Sequence, residues 1–197
     1  MLTRKCSLCK KKIPAAGAVI GSLKAFCNME HLIEYSRSAA GRNTVNKARV
    51  QQVKQFKASD RALQLRLTQT EFNRLIRLLD TKQGCISCTQ SANWNGQWHA
   101  SHYRSVGAQS SLRFNPLNVH KACSICNNHL SGNIRGYREG LLRFYGQPIL
   151  DYLEVDRSPI KWAVSELVKM RQEFSAEIRL LLAGSPPSRN WRAYDKD

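Results

Sequence analysis

Two pairs of cysteines constrain the fold of this 197-residue chain more than any other feature. Each pair has two residues between its cysteines: Cys85 with Cys88, and Cys123 with Cys126. This spacing lets four thiolates surround one ion as a tetrahedron, and four soft sulfur ligands favour zinc over a hard cation. The alternative is four free cysteines in the core, which would not need paired spacing. The long stretch between the two pairs leaves room for an inserted functional element.

A second set of candidate ligands lies near the N-terminus, where Cys6 and Cys9 are followed by Cys27 and His31. Three cysteines and one histidine form a further ligand set typical of zinc. The two sets together use all seven cysteines, so no thiol is left for nucleophilic catalysis. The chain shows neither a secretory signal nor a long apolar run, and we therefore expect a cytoplasmic protein with no membrane partner. Cysteines in that reducing compartment are more often metal ligands than disulfides.

The charge of the chain predicts a polyanionic partner. It carries 31 basic and 14 acidic residues, a net charge of +17, and nucleic acid is the simplest partner. Residues 1–60 hold 12 basic and three acidic residues, whereas 141–197 hold nine and eight. Charge alone leaves DNA, RNA, an anionic membrane and a merely solubilising surface open. No acidic residue occurs between Asp80 and Glu139, so chemistry there must use His, Asn, Ser or Cys, or a carboxylate from elsewhere.

A basic helix is predicted over residues 44–57. Lys47, Lys54 and Arg61 follow one another at seven-residue spacing with Lys57 beside them, so on one helix they share a face. This face is either a phosphate-contacting arm or the solvated side of a linker helix.

Three further helices are predicted from capping signals and apolar periodicity. Thr68 and Glu71 form a capping-box pattern, which predicts a helix that begins at Thr68. A short helix is expected from Ile134 to Tyr145. Ser158-Pro159 predicts the start of a long helix that ends near Gly184. That helix carries little net charge, which favours packing or dimerisation over DNA contact.

These elements predict an α+β, mainly helical fold with short strands around Trp94–Tyr103. The expected segments are a zinc-binding module over 1–43, a basic helical arm and connecting helix over 44–80, a zinc-stapled core over 81–150, a C-terminal packing or dimerisation helix over 151–184, and a flexible tail over 185–197.

The zinc-stapled region also contains a pattern of His and Asn residues. His102 follows the first cysteine pair, Asn118 lies in the connecting segment, and Asn127 directly follows the second pair. This order resembles the HNH, or ββα-metal, nuclease family, whose core is of the treble-clef type. The resemblance implies that His102 is the general base that activates water and that Asn118 orients it. Asn127 would bind a catalytic Mg²⁺ or Mn²⁺ that stabilises the charge on the phosphate.

One position departs from the HNH pattern. Many of these sites place an acidic or histidine metal ligand just before the base, where this chain has Ser101. Cation binding would then rest on Asn127 together with some of His99, His120 and His129, or on a distant carboxylate. We count His120 within the catalytic set. Nitrogen ligands favour Mn²⁺ over Mg²⁺. In the alternative interpretation these histidines only support the zinc sites or touch phosphate.

A longer set of motifs spans the same region: Ser101-His102-Tyr103-Arg104, Leu112-Arg113-Phe114-Asn115-Pro116, Asn118-Val119-His120, Leu130-Ser131-Gly132-Asn133, and Tyr137 followed by Tyr145-Gly146. With the N-terminal cysteine element, they resemble the NinG/Rap recombination proteins of lambdoid phages over most of the chain. That resemblance implies a structure-specific endonuclease that cuts branched DNA, such as Holliday junctions and D-loops, with a divalent metal. Composition and spacing themselves indicate only a zinc-stapled, nuclease-like nucleic-acid protein.

The first hypothesis is therefore a metal-dependent endodeoxyribonuclease that acts in the phage's host cell, with a homodimer as the candidate assembly. Trp94, Trp98 and Tyr103 are candidates for stacking on bases or for the core. The alternative is a protein that uses its zinc modules to bind DNA or RNA and has no enzymatic activity. The residues predicted to contact DNA are Lys47, Lys54, Lys57, Arg61, Arg104, Arg113, Lys121, Arg135 and Arg138.

Overall fold

A computed structural model of the chain describes residues 2–21 and 24–193. The fold is α+β and mainly helical, as the sequence predicts. The chain divides into two compact units, Met1–Ser59 and Asp60–Asp197. Within the described ranges, no helix is long and apolar enough to cross a membrane.

Two small antiparallel hairpins open the first unit, with strands β1 (Thr3–Lys5), β2 (Lys12–Pro14), β3 (Val19–Gly21) and β4 (Lys24–Phe26). Helix α1 (Met29–Arg37) follows directly. It begins at this point because the Asn28 side chain accepts a hydrogen bond from the His31 N–H, 2.9 Å long, which satisfies a free amide of the first turn. The aromatic rings of Phe26 and Tyr35 pack at a centroid distance of 5.3 Å and join α1 to β4.

Helix α2 (Ala39–Ser59) is the predicted basic helix, and it is longer than the predicted 44–57. It contains five basic residues and no acidic one, and all of residues 45–59 are exposed. Arg61 does not share its face, which corrects the predicted row with Lys47 and Lys54. The helix ends at Ser59, and Asp60 caps the next helix by accepting the Leu63 N–H. The boundary between the compact units falls here, within the segment that the sequence grouped as 44–80.

The described residues of the second unit form four α-helices and one hairpin: α3 (Arg61–Leu79), β5 (Trp98–His102), β6 (Val119–Cys123), α4 (Ile134–Tyr145), α5 (Gln147–Glu154) and α6 (Val164–Leu182). Strands β5 and β6 are antiparallel, with His99 opposite Ala122 and Ser101 opposite His120. Short 3-10 turns precede β6 at Ser110–Leu112 and Pro116–Asn118, and a π-helical turn covers Ile125–His129. The predicted helix 134–145 is present, while α5, with Pro148 in its first turn, was not predicted.

The buried side chains of the second unit form two clusters. One lies between α3 and α6 and includes Phe72, Leu75, Leu167 and Phe174. The other joins the hairpin to α4 and α5, and it includes Tyr137, Leu141, Leu150 and Leu153. The apolar stripe of α6 therefore packs on α3 within the same chain. The other predicted role of this helix, dimerisation, stays a prediction.

The predicted helix start at Thr68 is wrong. Thr68 lies inside α3, fully buried, and its hydroxyl donates to the Leu167 carbonyl oxygen at 2.9 Å. Its hydrogen-bonding capacity serves the contact with α6, whereas Asp60 supplies the cap two turns earlier. A capping pattern in the sequence cannot distinguish these two uses of a hydroxyl.

The predicted helix start at Ser158-Pro159 is also wrong. Helix α6 begins at Val164, and the Glu166 carboxylate accepts the Ala163 N–H at 2.7 Å. The preceding residues are not helical. The Arg61 guanidinium donates to the Trp162 carbonyl at 2.8 Å and holds this segment against α3. A contact between residues distant in the sequence thus displaces the helix start.

The segment after α6 packs against the second unit, in contrast to the flexible tail predicted over 185–197. Trp191 is 9% exposed and lies 5.9 Å from the Phe174 ring. The buried Glu177 carboxylate accepts the Ser188 N–H at 2.7 Å. One buried aromatic ring and a few polar contacts order a segment whose composition is that of a loop. Residues 194–197 of the predicted tail lie outside the described residues.

Candidate functional site

The N-terminal ligand set converges in the first unit. The ligand atoms of Cys6, Cys9, Cys27 and His31 all lie within 4.8 Å of one another. Cys6 Sγ is 3.5 Å from His31 Nδ1, and Cys9 Sγ is 3.5 Å from Cys27 Sγ. Zinc–sulfur bonds of about 2.3 Å place tetrahedral sulfur atoms about 3.8 Å apart, so these donors fit zinc in number, type and separation. The hairpins and the first turn of α1 together form this cluster.

The four cysteines of the second set converge in the same way. Their sulfur atoms lie within 4.8 Å of one another, and Cys88 Sγ is 3.8 Å from Cys123 Sγ. Backbone N–H groups point at the sulfurs: Cys123 N–H donates to Cys85 Sγ, and Cys126 N–H donates to Cys123 Sγ. These donors favour the thiolate form that zinc requires. Both predicted sets can therefore bind zinc, and the second would join the loop before β5 to the end of β6.

His102, the predicted general base, is the last residue of β5. Its Nε2 lies 3.0 Å from the Arg113 carbonyl oxygen. A carbonyl oxygen can only accept, so the neutral ring carries its proton on Nε2 and keeps a lone pair on Nδ1. Nδ1 has no hydrogen-bond partner in the described part of the chain. Burial lowers the pKa of His102 below its ordinary 6.5, which favours the neutral ring at physiological pH. This is the form that a general base needs.

Asn118 fixes the loop between the strands rather than the His102 ring itself. Its Oδ1 accepts the Arg104 N–H at 2.8 Å, and its Nδ2 donates to the carbonyls of Arg104 and Leu112 at 3.0 and 3.2 Å. Arg113, which directly follows Leu112, supplies the carbonyl that His102 contacts. Among the described residues, Asn118 makes no hydrogen bond with the His102 ring, and its orienting role stays a prediction.

His120 does not fit the predicted catalytic set. It is 4% exposed, with Nδ1 3.1 Å from the Tyr137 hydroxyl and Nε2 3.1 Å from the Tyr145 hydroxyl. Tyr137 donates its own proton to the Ser101 carbonyl, so it accepts from His120 Nδ1–H, and Tyr145 donates to Nε2. Burial lowers the pKa of His120 well below its ordinary value. Both ring nitrogens are used within the core, and His120 joins α4 to the hairpin.

His99 and Asn127 are in contact. Asn127 Nδ2 donates to His99 Nδ1 over 3.1 Å, and the two side chains line one groove of the second unit. Rotation of the Asn127 amide would place its oxygen beside the imidazole lone pair, which gives two donors for a cation. Of the two other candidate ligands, His129 is exposed and outside the groove lining, and His120 is committed to its tyrosines.

Several residues predicted to contact DNA are bound within the protein. Lys121 is buried, donates to the Thr81 carbonyl at 3.0 Å and lies 4.4 Å from the centre of the Trp98 ring, so it is not available to phosphate. Arg113 donates to Gln69 Oε1 at 2.8 Å. Arg61 holds the segment before α6, as described above. These corrections share one cause, because a cation in the sequence carries no sign of a buried polar partner.

The remaining predicted DNA contacts are on the surface. Three of them form exposed or half-exposed ion pairs, Arg104 with Asp156, Arg135 with Glu139 and Arg138 with Glu154. Pairs of this kind contribute little stability and can exchange for phosphate. Lys47, Lys54 and Lys57 lie on the exposed surface of α2.

The aromatic candidates for base stacking pack within the protein, with Trp94 and Trp98 half-buried against the cluster beside the hairpin. The rings of Trp94 and Trp98 pack edge to face at 5.2 Å, and Tyr103 is buried. The Tyr103 hydroxyl donates to the Glu154 carboxylate at 2.6 Å. Burial, with this carboxylate nearby, raises the pKa of Tyr103 to about 12.

Two groove residues were missed in the sequence. Asn73 and Arg77 of α3 line the groove that contains His99 and Asn127. They follow Gln69 at four-residue spacing, so all three share one polar face of the helix. This row of polar residues on one helix face was the sequence signal that could have identified them. The apolar residues of α3 indicate only its packing face.

The described residues thus form an α+β protein with two Cys/His clusters suited to zinc and a polar groove beside the second hairpin. A family model described as Bacteriophage Lambda NinG protein matches residues 1–183. The chain therefore belongs to the NinG family.

Individual relatives agree with this assignment. The chain is similar to Protein ninG of Escherichia phage 933W, with 31% identity over 191 residues that cover 89% of this chain and 92% of the relative. It is 32% identical to Protein ninG of Escherichia phage lambda over 127 residues, or 64% of this chain and 61% of the relative. The match to the lambda protein thus spans less than two thirds of that protein's length. No solved structure matches the chain.

Proposed function

We propose that this NinG family member is a metal-dependent endodeoxyribonuclease that cuts branched recombination intermediates. The observation that carries the proposal is the hydrogen bond between His102 Nε2 and the Arg113 carbonyl, which leaves Nδ1 with a lone pair in a half-buried, neutral ring. A base of this kind can take a proton from the water that attacks a phosphodiester. Asn118 supports it by closing the loop that carries Arg113.

We further propose that His99 and Asn127 hold the catalytic cation. Ser101 occupies the usual ligand position, but it is 2% exposed and lies opposite the buried His120. His99 is two residues earlier on the same strand and therefore on the same face, and it already contacts Asn127. A divalent cation bound here would neutralise charge on the phosphate. The donors are a nitrogen and an amide oxygen with no carboxylate, a set better suited to Mn²⁺ than to Mg²⁺.

The proposed structural role of zinc follows from the two clusters. Each binds together segments that are too short to form a core of their own, namely the hairpins of the first unit and the loop before β5 in the second. In the second unit, zinc would fix the start of β5 and the end of β6. His99 lies at that start of β5, and Asn127 follows that end of β6.

The proposed partner is DNA. Helix α2 presents five basic residues, no acidic residue and an exposed surface from 45 to 59, as expected of an element that follows a phosphate backbone. The specificity for branches rests on the resemblance to recombination proteins. Two-fold cleavage of a four-way junction would be simplest for a homodimer.

A second candidate function is a zinc-module protein that binds DNA or RNA without cutting it. The observation in its favour is the absence of any acidic residue from 81 to 138, which leaves the groove without the carboxylate that most divalent sites contain. This candidate predicts salt-dependent binding with or without a divalent cation, and no strand cleavage.

One assay separates the two functions. Zinc-loaded protein is incubated with a labelled synthetic four-way junction, a matched duplex and a single-stranded RNA, with Mn²⁺, with Mg²⁺ or with neither. We expect nicking of the junction with Mn²⁺, weaker nicking with Mg²⁺ and none without a divalent cation. His99→Asp should shift the preference towards Mg²⁺, because it restores a hard oxygen ligand, whereas the exposed Gln172→Ala should behave as the unaltered protein. Binding without nicking under all conditions would establish the second function.

A further inference from the structure

The groove that contains His99 and Asn127 is open and has a volume of about 550 Å³. Helix α3 forms one side through Asn73 and Arg77, and the start of β5 forms the other. Among the described residues, the side chains that line it are neutral or basic, and none is acidic. A groove with this lining is suited to an anion.

Arg77 is the charged group of this lining. Its side chain is half-buried, yet its guanidinium makes no ion pair or hydrogen bond with any residue that the structure describes. Arg113 and Arg192, which are also half-buried, both have side-chain partners. Burial, together with the nearby Arg74, lowers the pKa of Arg77, although a guanidinium stays charged. A partly buried cation without a counter-ion is costly, and a bound anion would remove that cost.

A row of polar contacts connects the face of α3 that also carries Arg77 to the proposed base. Gln69 Nε2 donates to Asn73 Oδ1 at 2.8 Å, and Gln69 Oε1 accepts from Arg113 Nε at 2.8 Å. The Arg113 carbonyl in turn holds the His102 ring. The face of α3 that ends at Arg77 is therefore fixed relative to the His102 side chain.

The chemistry of the groove favours one class of anion. A guanidinium presents two parallel N–H donors, which match the two non-bridging oxygens of a phosphodiester. Asn73 and Asn127 can add neutral hydrogen bonds beside them. We infer that Arg77 binds the phosphodiester that this protein cuts and places it against His99 and Asn127. The inference rests on the proposed nuclease function and adds to it a contact made by α3.

Two variants and one control test this inference. Arg77→Ala removes the guanidinium, and Arg77→Lys keeps the charge but loses the two-point contact. Arg74→Ala removes an exposed neighbouring cation that is outside the groove lining. All three should retain the zinc content and circular dichroism of the unaltered protein. In single-turnover cleavage of the junction with Mn²⁺, we expect a loss of about 100-fold for Arg77→Ala, the scale of losing one transition-state donor. Arg77→Lys should lose less, and Arg74→Ala should stay within about threefold.

Phosphate-ethylation interference supplies a readout that would not change if Arg77 had only a structural role. The phosphates whose ethylation blocks binding are mapped on the junction with His102→Ala protein. We expect the cleaved phosphate to be among them and to disappear from the map when Arg77→Ala is added, whereas Arg74→Ala should leave it in place.

The possible failures are distinguishable. An unchanged rate and an unchanged interference map for Arg77→Ala in a protein that cuts would overturn the inference and leave the nuclease proposal intact. Failure of the unaltered protein to cut in any divalent cation would overturn both proposals. A lost phosphate in the map would then show only that Arg77 contacts DNA in a binding protein.

Discussion

The half-buried Arg192 and the buried Asp80 form an ion pair in which the arginine Nη2 lies 2.7 Å from both carboxylate oxygens. The pair connects three parts of the second unit. Asp80 follows α3 directly and also accepts the Lys121 N–H of β6 at 2.9 Å, while Arg192 donates to the Val119 carbonyl at 2.7 Å. The segment after α6 thereby fixes β6, which ends at Cys123 and leads into the π-helical turn that contains Asn127.

Removal of this arginine should destabilise the second unit strongly. Arg192→Ala leaves the Asp80 carboxylate buried without its charged partner, and we expect a loss of about 3 kcal/mol in the free energy of unfolding. Urea denaturation followed by tryptophan fluorescence measures it, since all four tryptophans lie in residues 60–197. The exposed Arg179→Ala serves as the control and should change stability by less than about 0.5 kcal/mol. A similar small change for Arg192→Ala would show that the pair does not hold the fold.

Each ligand set should hold one zinc ion. Cys88→Ser should reduce the zinc content from about two to about one per chain and unfold the second unit, because the zinc-binding free energy is also folding free energy. Cys27→Ser should lose the other ion and leave the tryptophan fluorescence unchanged, since its cluster lies in the first unit. Elemental analysis by mass spectrometry gives the zinc content. Full zinc content in either variant would refute the corresponding site.

Cleavage should depend on pH through His102. Its active form is the neutral ring, and burial places the pKa of His102 below 6.5 in the folded protein. The rate should therefore rise as the pH increases through that lowered pKa and become independent of His102 well above it. The pH profile of single-turnover cleavage, with binding measured at each pH, provides the test. An acidic limb centred above about pH 7 would mean that a different group acts as the base.

The basic surface of α2 should contribute sequence-independent affinity. Lys47→Gln combined with Lys54→Gln should weaken DNA binding and reduce the slope of log affinity against log salt by about 2, because each phosphate contact contributes about 0.9. Fluorescence anisotropy at several salt concentrations measures both effects. Lys161→Gln with Lys169→Gln, two exposed lysines of the second unit, is the matched control and should leave the slope unchanged. Equal slopes for the two double variants would exclude a specific role for α2.

Sequence spacing predicted the parts of the site whose geometry depends on residues close together in the sequence. Two cysteines separated by two residues have little choice of geometry, and both clusters form as predicted. The helix from Ile134 to Tyr145 likewise follows from its own periodicity. The starts at Thr68 and Ser158 were wrong because contacts with distant residues decided how those hydroxyl-rich segments are used.

The roles of the histidines could not be predicted from their order in the sequence alone. His102 and His120 differ in what surrounds them, since two tyrosines enclose His120 whereas a single carbonyl contacts the His102 ring. Arg77 and His99 meet in one groove although they are 22 positions apart and carry no shared motif. Tertiary packing creates these relationships, and no local pattern records them.

The most direct test of the central proposal is cleavage by His102→Ala. Zinc-loaded His102→Ala and unaltered protein are compared on the same four-way junction with Mn²⁺, with affinity measured in parallel. Loss of nicking by at least about 100-fold, with unchanged affinity and zinc content, is the predicted result. Nicking at the unaltered rate would contradict the assignment of His102 as the general base and with it the mechanism proposed for this NinG family member.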